Sequence, residues 1–171
     1  MIPRPFSHQK GFTLLELILV MVIITVSMGL VLPRLPDIAG MKIDRGARKI
    51  GMIIKLTRER AVALRRYYRL EIDFDASTLT ASYFGPENIY VEDEDLRVLE
   101  LPESVRITDI VTAGGGKDAE GSAWIHFSPK GMIEPSAIHL TDNSDQVKTV
   151  QPGVLNGSIR IEDGYVEFPT L

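Results

Sequence analysis

Apolar and polar positions fall into three regimes along the chain. Residues 12–32 are almost only Leu, Ile, Val, Met and Phe, and Glu16 is the single charge among them. A helix of about 21 residues reaches about 31 Å, close to the hydrocarbon thickness of a bilayer. Pro33 and Pro36 follow and are expected to kink or interrupt that helix, with Asp37 placed to cap a restart. The second regime is amphipathic. Ile43, Ala47, Ile50, Ile54, Thr57, Ala61, Leu64 and Tyr68 recur at alternating spacings of four and three, which makes one apolar stripe on a helix running to about Arg66. The bases Lys42, Arg45, Arg48, Lys49, Lys55, Arg58, Arg60, Arg65 and Arg66 lie between them and read as a solvated face.

From Tyr68 the period drops to two. "YRLEIDF" sets Leu70, Ile72 and Phe74 against polar neighbours, "DAST" turns the chain, and "LTASYF" returns as a hairpin. An acidic loop, "VEDEDLR", comes next. "SVRITDIV", "AWIHF", "AIHLT" and "VKTVQ" continue as strands, Asn156-Gly157 reads as a hairpin turn, and "SIRI", "EDG" and "YVEF" close the chain. Strands after a long helix predict an α+β domain in which an antiparallel sheet packs on that helix.

Composition removes several chemistries. The 171 residues suffice for one domain plus an accessory segment, and the formal net charge of −4 gives no global basic field for nucleic acid. Cysteine is absent, which excludes disulfides, thiolate metal sites and a cysteine nucleophile. His126 and His139 stand inside predicted strands without acidic partners at ligand spacing, so they read as structural, and His8 precedes the apolar run. "FSPKG" is not a nucleophile elbow. The glycines at 114–116 precede Lys117 but no Ser or Thr, so they read as a mobile loop rather than a phosphate cradle. Two acidic clusters, Glu92-Asp93-Glu94-Asp95 and Asp142 with Asn143 and Asp145, have oxygen ligands suited to calcium but read by default as solvated loops. No enzymatic activity, metal or cofactor is expected.

Glu16 is the odd feature, because an ionised carboxylate in hydrocarbon costs roughly 2.5–3.5 kcal/mol on insertion scales. A cleavable signal peptide, cut after Gly29 behind Ser27 and Met28, gives it no use, and neither does a plain signal anchor. "KGFTLLELILVMVIITV", behind a short leader with Arg4 and Lys10, resembles the class III signal of type IV pilins and pseudopilins. The resemblance implies that prepilin peptidase cuts between Gly11 and Phe12 and methylates the new amine of Phe12. Glu16 then becomes the fifth residue of the mature protein. Its carboxylate is positioned to meet the Phe12 amine of a neighbouring subunit, as a register device, since a mis-registered neighbour leaves a buried charge unpaired. Gly11 leaves the scissile bond unobstructed and the backbone free to leave helical geometry.

The stretch from "WIHFSPKG" to "NGSIRI" is similar to the C-terminal part of the GspH/FimT group, with Phe127, Ser128 and Gly131 followed by the Asn156-Gly157 turn. Together the two resemblances imply a pilin-like fold organised as a leader (1–11), a transmembrane and assembly helix (12–32), a periplasmic half-helix (33–67) and a β-rich domain (68–171). The expected function is a minor pseudopilin of a type II secretion system, single-pass in the inner membrane with its C-terminal domain in the periplasm. Its expected partners are major and minor pseudopilins, prepilin peptidase, the inner-membrane assembly platform and the lipid bilayer. The alternative is a FimT-like minor pilin serving pilus assembly or DNA uptake. Nucleic acid is not expected as a partner, because the C-terminal segment offers Arg160 against Glu162, Asp163 and Glu167.

Overall fold

The apolar run and the amphipathic run each form a helix, in separate units of the chain: residues 1–37 and residues 38–171. The computed structural model describes residues 13–31 and 38–167. Gly11, Phe12, His8, Pro33, Pro36 and Asp37 therefore lie outside the described residues. In the first unit α1 spans Leu14–Val31 and is apolar all round, and its large apolar side chains from Leu14 to Val26 are exposed. The expected span, 12–32, begins and ends outside the described residues. Among those residues no helix is long and apolar enough to cross a membrane.

In the second unit α2 (Ile38–Leu64) lies on strands of two sheets. Ile43, Ala47, Ile50, Ile54, Thr57 and Ala61 are buried as the spacing predicts, and Ile53 joins them. Leu64 departs from the expected stripe and is 47% exposed. The helix ends there: Arg65 adopts φ +53°, its N–H bonds Val62 O (3.3 Å), and the Arg66 N–H reaches Ala61 O (3.1 Å). That is a Schellman closure, which turns the backbone before another helical residue can reach the core.

The strands are β1 (Tyr68–Asp73), β2 (Thr78–Phe84), β3 (Tyr90–Glu92), β4 (Leu99–Glu100), β5 (Val105–Thr112), β6 (Gly116–Asp118), β7 (Ser122–Phe127), β8 (Ser136–Asp142), β9 (Val147–Pro152) and β10 (Ile159–Asp163). The expected single sheet is two. One has the order β3-β2-β1-β7 with β4 also on β2, and the other is β10-β9-β8-β5-β6; all pairings are antiparallel. The cause is β7, which leaves its sequence neighbours and pairs β1 from Tyr68↔Phe127 to Asp73↔Ser122. Period-two patterning identifies strands but not their partners. Core side chains come from both sheets: Tyr68, Leu70, Ile72 and Ile125 from one, Ile110, Ile138, Leu140 and Val150 from the other.

Three local expectations change. The glycines at 114–116 form the tight β5–β6 turn, with the Gly115 N–H on Thr112 Oγ1 (3.0 Å), rather than a mobile loop. The Asn156-Gly157 pair sits inside a wider β9–β10 connection closed by Gly153 N–H to Ser158 O (2.7 Å). "YVEF" is not a strand over its described residues. Instead Tyr165 and Val166 cross β8 and β9: Thr149 Oγ1 donates to Gly164 O (2.7 Å) and accepts from Val166 N (3.0 Å). This segment covers His139 on the side of β8 turned away from the core, and all seven β8 residues are buried.

Candidate functional site

Glu16, the one predicted assembly residue within the described chain, lies in the first turn of α1. Its backbone N–H donates to Thr13 Oγ1 at 3.3 Å. Thr13-x-x-Glu16 is thus the hydroxyl half of a capping box, and the carboxylate stands where a helix dipole favours negative charge. The sequence carried this second role in plain view as Thr-Leu-Leu-Glu. Farther along, Thr25 Oγ1 returns its proton to Met21 O (2.8 Å), so that hydroxyl is not left seeking a partner in an apolar surrounding.

In the second unit, two of the residues that resemble the GspH/FimT pattern, Gly131 and Gly157, lie against Arg58. Its Nε donates to Gly131 O at 2.8 Å, and Nη2 reaches Leu155 O at 3.4 Å. Gly131 closes the turn after β7, where Ser128 O accepts from its N–H (2.9 Å) and Ser128 Oγ accepts from Met132 N (3.1 Å). Gly131 and Gly157 both have positive φ (+83° and +65°), and a Cβ on either would crowd Arg58, at 3.1 Å from Nη2 and 2.6 Å from Cδ respectively. These glycines are needed both for backbone conformation and for the arginine that lies against them. Arg58, grouped with the solvated face in sequence, instead ties α2 to two turns.

Arg60 is drawn inward as well. It makes two bonds to Asp93 (3.0 and 3.1 Å) and a further one to Asp95, while Tyr68 Oη donates to Asp93 Oδ2 at 2.7 Å. Arg60, then Tyr68, holds the Asp93 carboxyl below the usual carboxylate range despite its burial. Burial and Asp93 push the Tyr68 hydroxyl upward, and the two aspartates raise Arg60. Asp93 of the first acidic cluster is therefore committed to a clamp between α2 and the β3–β4 segment. In the second cluster, Asp142 Oδ1 accepts from the N–H groups of Ser144 (2.8 Å) and Gln146 (3.1 Å), the geometry of a local turn. Among the described residues no group of three or more His, Cys, Asp or Glu is placed to hold a metal ion.

Both described histidines have carboxylate partners that sequence spacing did not show. His126 Nδ1 lies 2.7 Å from Glu134 Oε2, and the buried His139 has Nδ1 2.6 Å from Asp109 Oδ1 and Nε2 3.0 Å from Val166 O. Tyr165 stacks on His139 with ring centroids 3.7 Å apart, and Lys117 pairs with Asp109 at 3.3 Å. With both nitrogens of His139 bonded and its ring covered, this network fastens the C-terminal segment to β8.

The prokaryotic N-terminal methylation motif matches residues 6–32. No curated protein gives a significant match. Two solved structures of the minor pseudopilin EpsH from the type 2 secretion system of Vibrio cholerae share the fold. One aligns at 17% identity and a TM-score of 0.55, covering 71% of this chain and 97% of that one. The other aligns at 18% identity and 0.56, covering 74% and 96%. The helix packed on antiparallel sheets is thus a pilin-like fold, and fold and N-terminal motif together are consistent with a type IV pilin-like pseudopilin.

Proposed function

We propose that this chain is a minor pseudopilin of a type II secretion system, made as an inner-membrane precursor and assembled into a periplasmic pseudopilus for protein export. The observation that carries the reading is the joint presence of a methylation motif at 6–32 and a globular unit with the EpsH fold. Neither alone suffices: the motif is common to pilins and pseudopilins, and the fold says nothing about processing.

In this reading prepilin peptidase cuts between Gly11 and Phe12, and the Phe12 amine is methylated. The apolar helix beyond the cut anchors the chain by a single pass, with residues 33–171 in the periplasm, and later packs with the helices of major and minor pseudopilins above the assembly platform. Glu16 meets the Phe12 amine of an adjacent subunit. The chemistry is that of packing and register, with no bond made or broken by this chain once it is processed. The DNA-uptake form of the FimT-like alternative needs a basic surface, whereas Arg58 and Arg60 are spent internally and Arg160 faces Glu162 at 3.6 Å. The pilus-assembly form makes no such demand and is less favoured because the two solved structures that share the fold are type 2 secretion pseudopilins.

Intact mass and N-terminal sequencing of the protein from cells with prepilin peptidase test the first step. The expected product begins at a methylated Phe12. A mature chain beginning at Met1 or Leu30 overturns the proposal.

A further inference from the structure

The chain has a single tryptophan, Trp124, and it lies on a surface. In the β3-β2-β1-β7 sheet, Leu70, Ile72, Ala81 and Ile125 point into the core, so the alternate positions face the other way. On that outer face the Arg69 guanidinium carbon lies 5.6 Å from the Trp124 ring centroid and 4.3 Å from that of Tyr90. Tyr90 in turn meets Phe84 edge-on, centroids 5.3 Å apart. Trp124, Arg69, Tyr90 and Phe84 thus form one contiguous row of contacts drawn from four strands. Trp124 is 41% and Phe84 39% exposed. Glu71 stands 3.7 Å from Arg69, and Glu92 is opposite Ser82 on the same face.

An exposed aromatic row held by cation–π contacts is a recognition surface in search of an occupant. A folded protein partner ordinarily covers about 800 Å² per side, more than one row of half-covered side chains supplies. Single-stranded nucleic acid also stacks on aromatics, but each phosphate needs a cation. Here the one guanidinium already faces a carboxylate, and a second carboxylate lies beside it. A chain of linked sugar rings fits what is present. The C–H faces of pyranose rings stack on flat aromatic faces, while flanking guanidinium and carboxylate groups donate to and accept from the hydroxyls.

We propose that this face binds a polysaccharide strand, the glycan backbone of the cell wall, along the row Trp124, Arg69, Tyr90 and Phe84. The sugar-binding surface stands on the sheet alone; only the identity of the glycan as the cell wall's rests on the proposed periplasmic placement. The experiment uses the full chain in a sugar-free amine-oxide detergent. Trp124 is the sole indole, so its emission reports this face directly during titration with a tetramer of β-1,4-linked N-acetylglucosamine. A saturable change is expected, weakened about tenfold by Tyr90→Ala, which keeps the reporter. A thermal melt checks the variant's fold, and Tyr90→Thr, suited to an exposed strand, replaces it if the melt is lowered. In parallel, co-sedimentation with purified peptidoglycan sacculi is expected for the wild type and lost in Trp124→Ala. Unchanged emission at millimolar tetramer, equal binding by the Tyr90 variant, or a response to oligothymidylate or an unstructured peptide instead of the sugar overturns the sugar site. Tetramer binding without sacculus binding overturns the cell-wall assignment. A wrongly processed N-terminus leaves both readouts unaffected, so the two proposals fail separately.

Discussion

Arg58 and Arg60 belong by position to the basic face of α2, yet each reaches round the helix to an internal partner. Periodicity fixes where a side chain leaves the helix, and a long arginine then chooses among acceptors that other segments bring near. Asp93 gives the clearest consequence. Its carboxyl has an ordinary value of 3.8 and is held lower in the folded chain, chiefly by Arg60 and then by Tyr68. A depressed carboxylate contributes stability that is complete above its unfolded value and lost as pH falls through the folded one. Asp93→Asn is therefore expected to lower the melting temperature at neutral pH and to flatten the loss of stability as pH falls below the ordinary carboxylate value of 3.8. Equal acid limbs for the two proteins in a pH series of thermal melts would show that the clamp contributes nothing.

Among the elements, α2 and the turns around it show how local signals combine. The apolar spacing located the helix, and its end at Leu64 was set by the left-handed Arg65, a position that carries no glycine to announce it. The turn at Gly131 depends on both conformation and room. Gly131→Ala places a Cβ 3.0 Å from Val62 Cγ2 and 3.1 Å from Arg58 Nη2 at a positive φ. The expected cost is about 1–3 kcal/mol in a denaturant titration, from backbone strain plus displacement of Arg58. A change within about 0.5 kcal/mol, the usual range for surface substitutions, would mean the arginine relaxes freely. The C-terminal segment shows the limit of pattern reading. "YVEF" alternates like a strand but lies across one, because Thr149 Oγ1 and His139 Nε2 bond the N–H and carbonyl of Val166 without a ladder.

At the scale of the whole molecule, Glu16 meets Thr13 through its backbone N–H, which any substitution retains, and in the proposed assembly offers its side-chain charge to a neighbour's amine. Glu16→Gln keeps a polar side chain of the capping-box type and removes the charge; Glu16→Val removes the polar side chain as well. Cleavage is expected to remain largely intact in each, while filament formation and secretion fall in both. Secretion preserved in Glu16→Gln but lost in Glu16→Val would mean that position 16 needs a polar side chain and not a charge. Preservation in both would end the register role. By itself the sequence determined the N-terminal methylation motif, the apolar and amphipathic helices and most strand positions, because these depend on residue identity and local periodicity. Tertiary structure decided which strands pair, how two sheets divide the core, that Arg58 and Arg60 turn inward, and that Trp124, Arg69, Tyr90 and Phe84 form one row. Each of these joins residues far apart in the chain, and no local pattern records the distance between them once the backbone has folded.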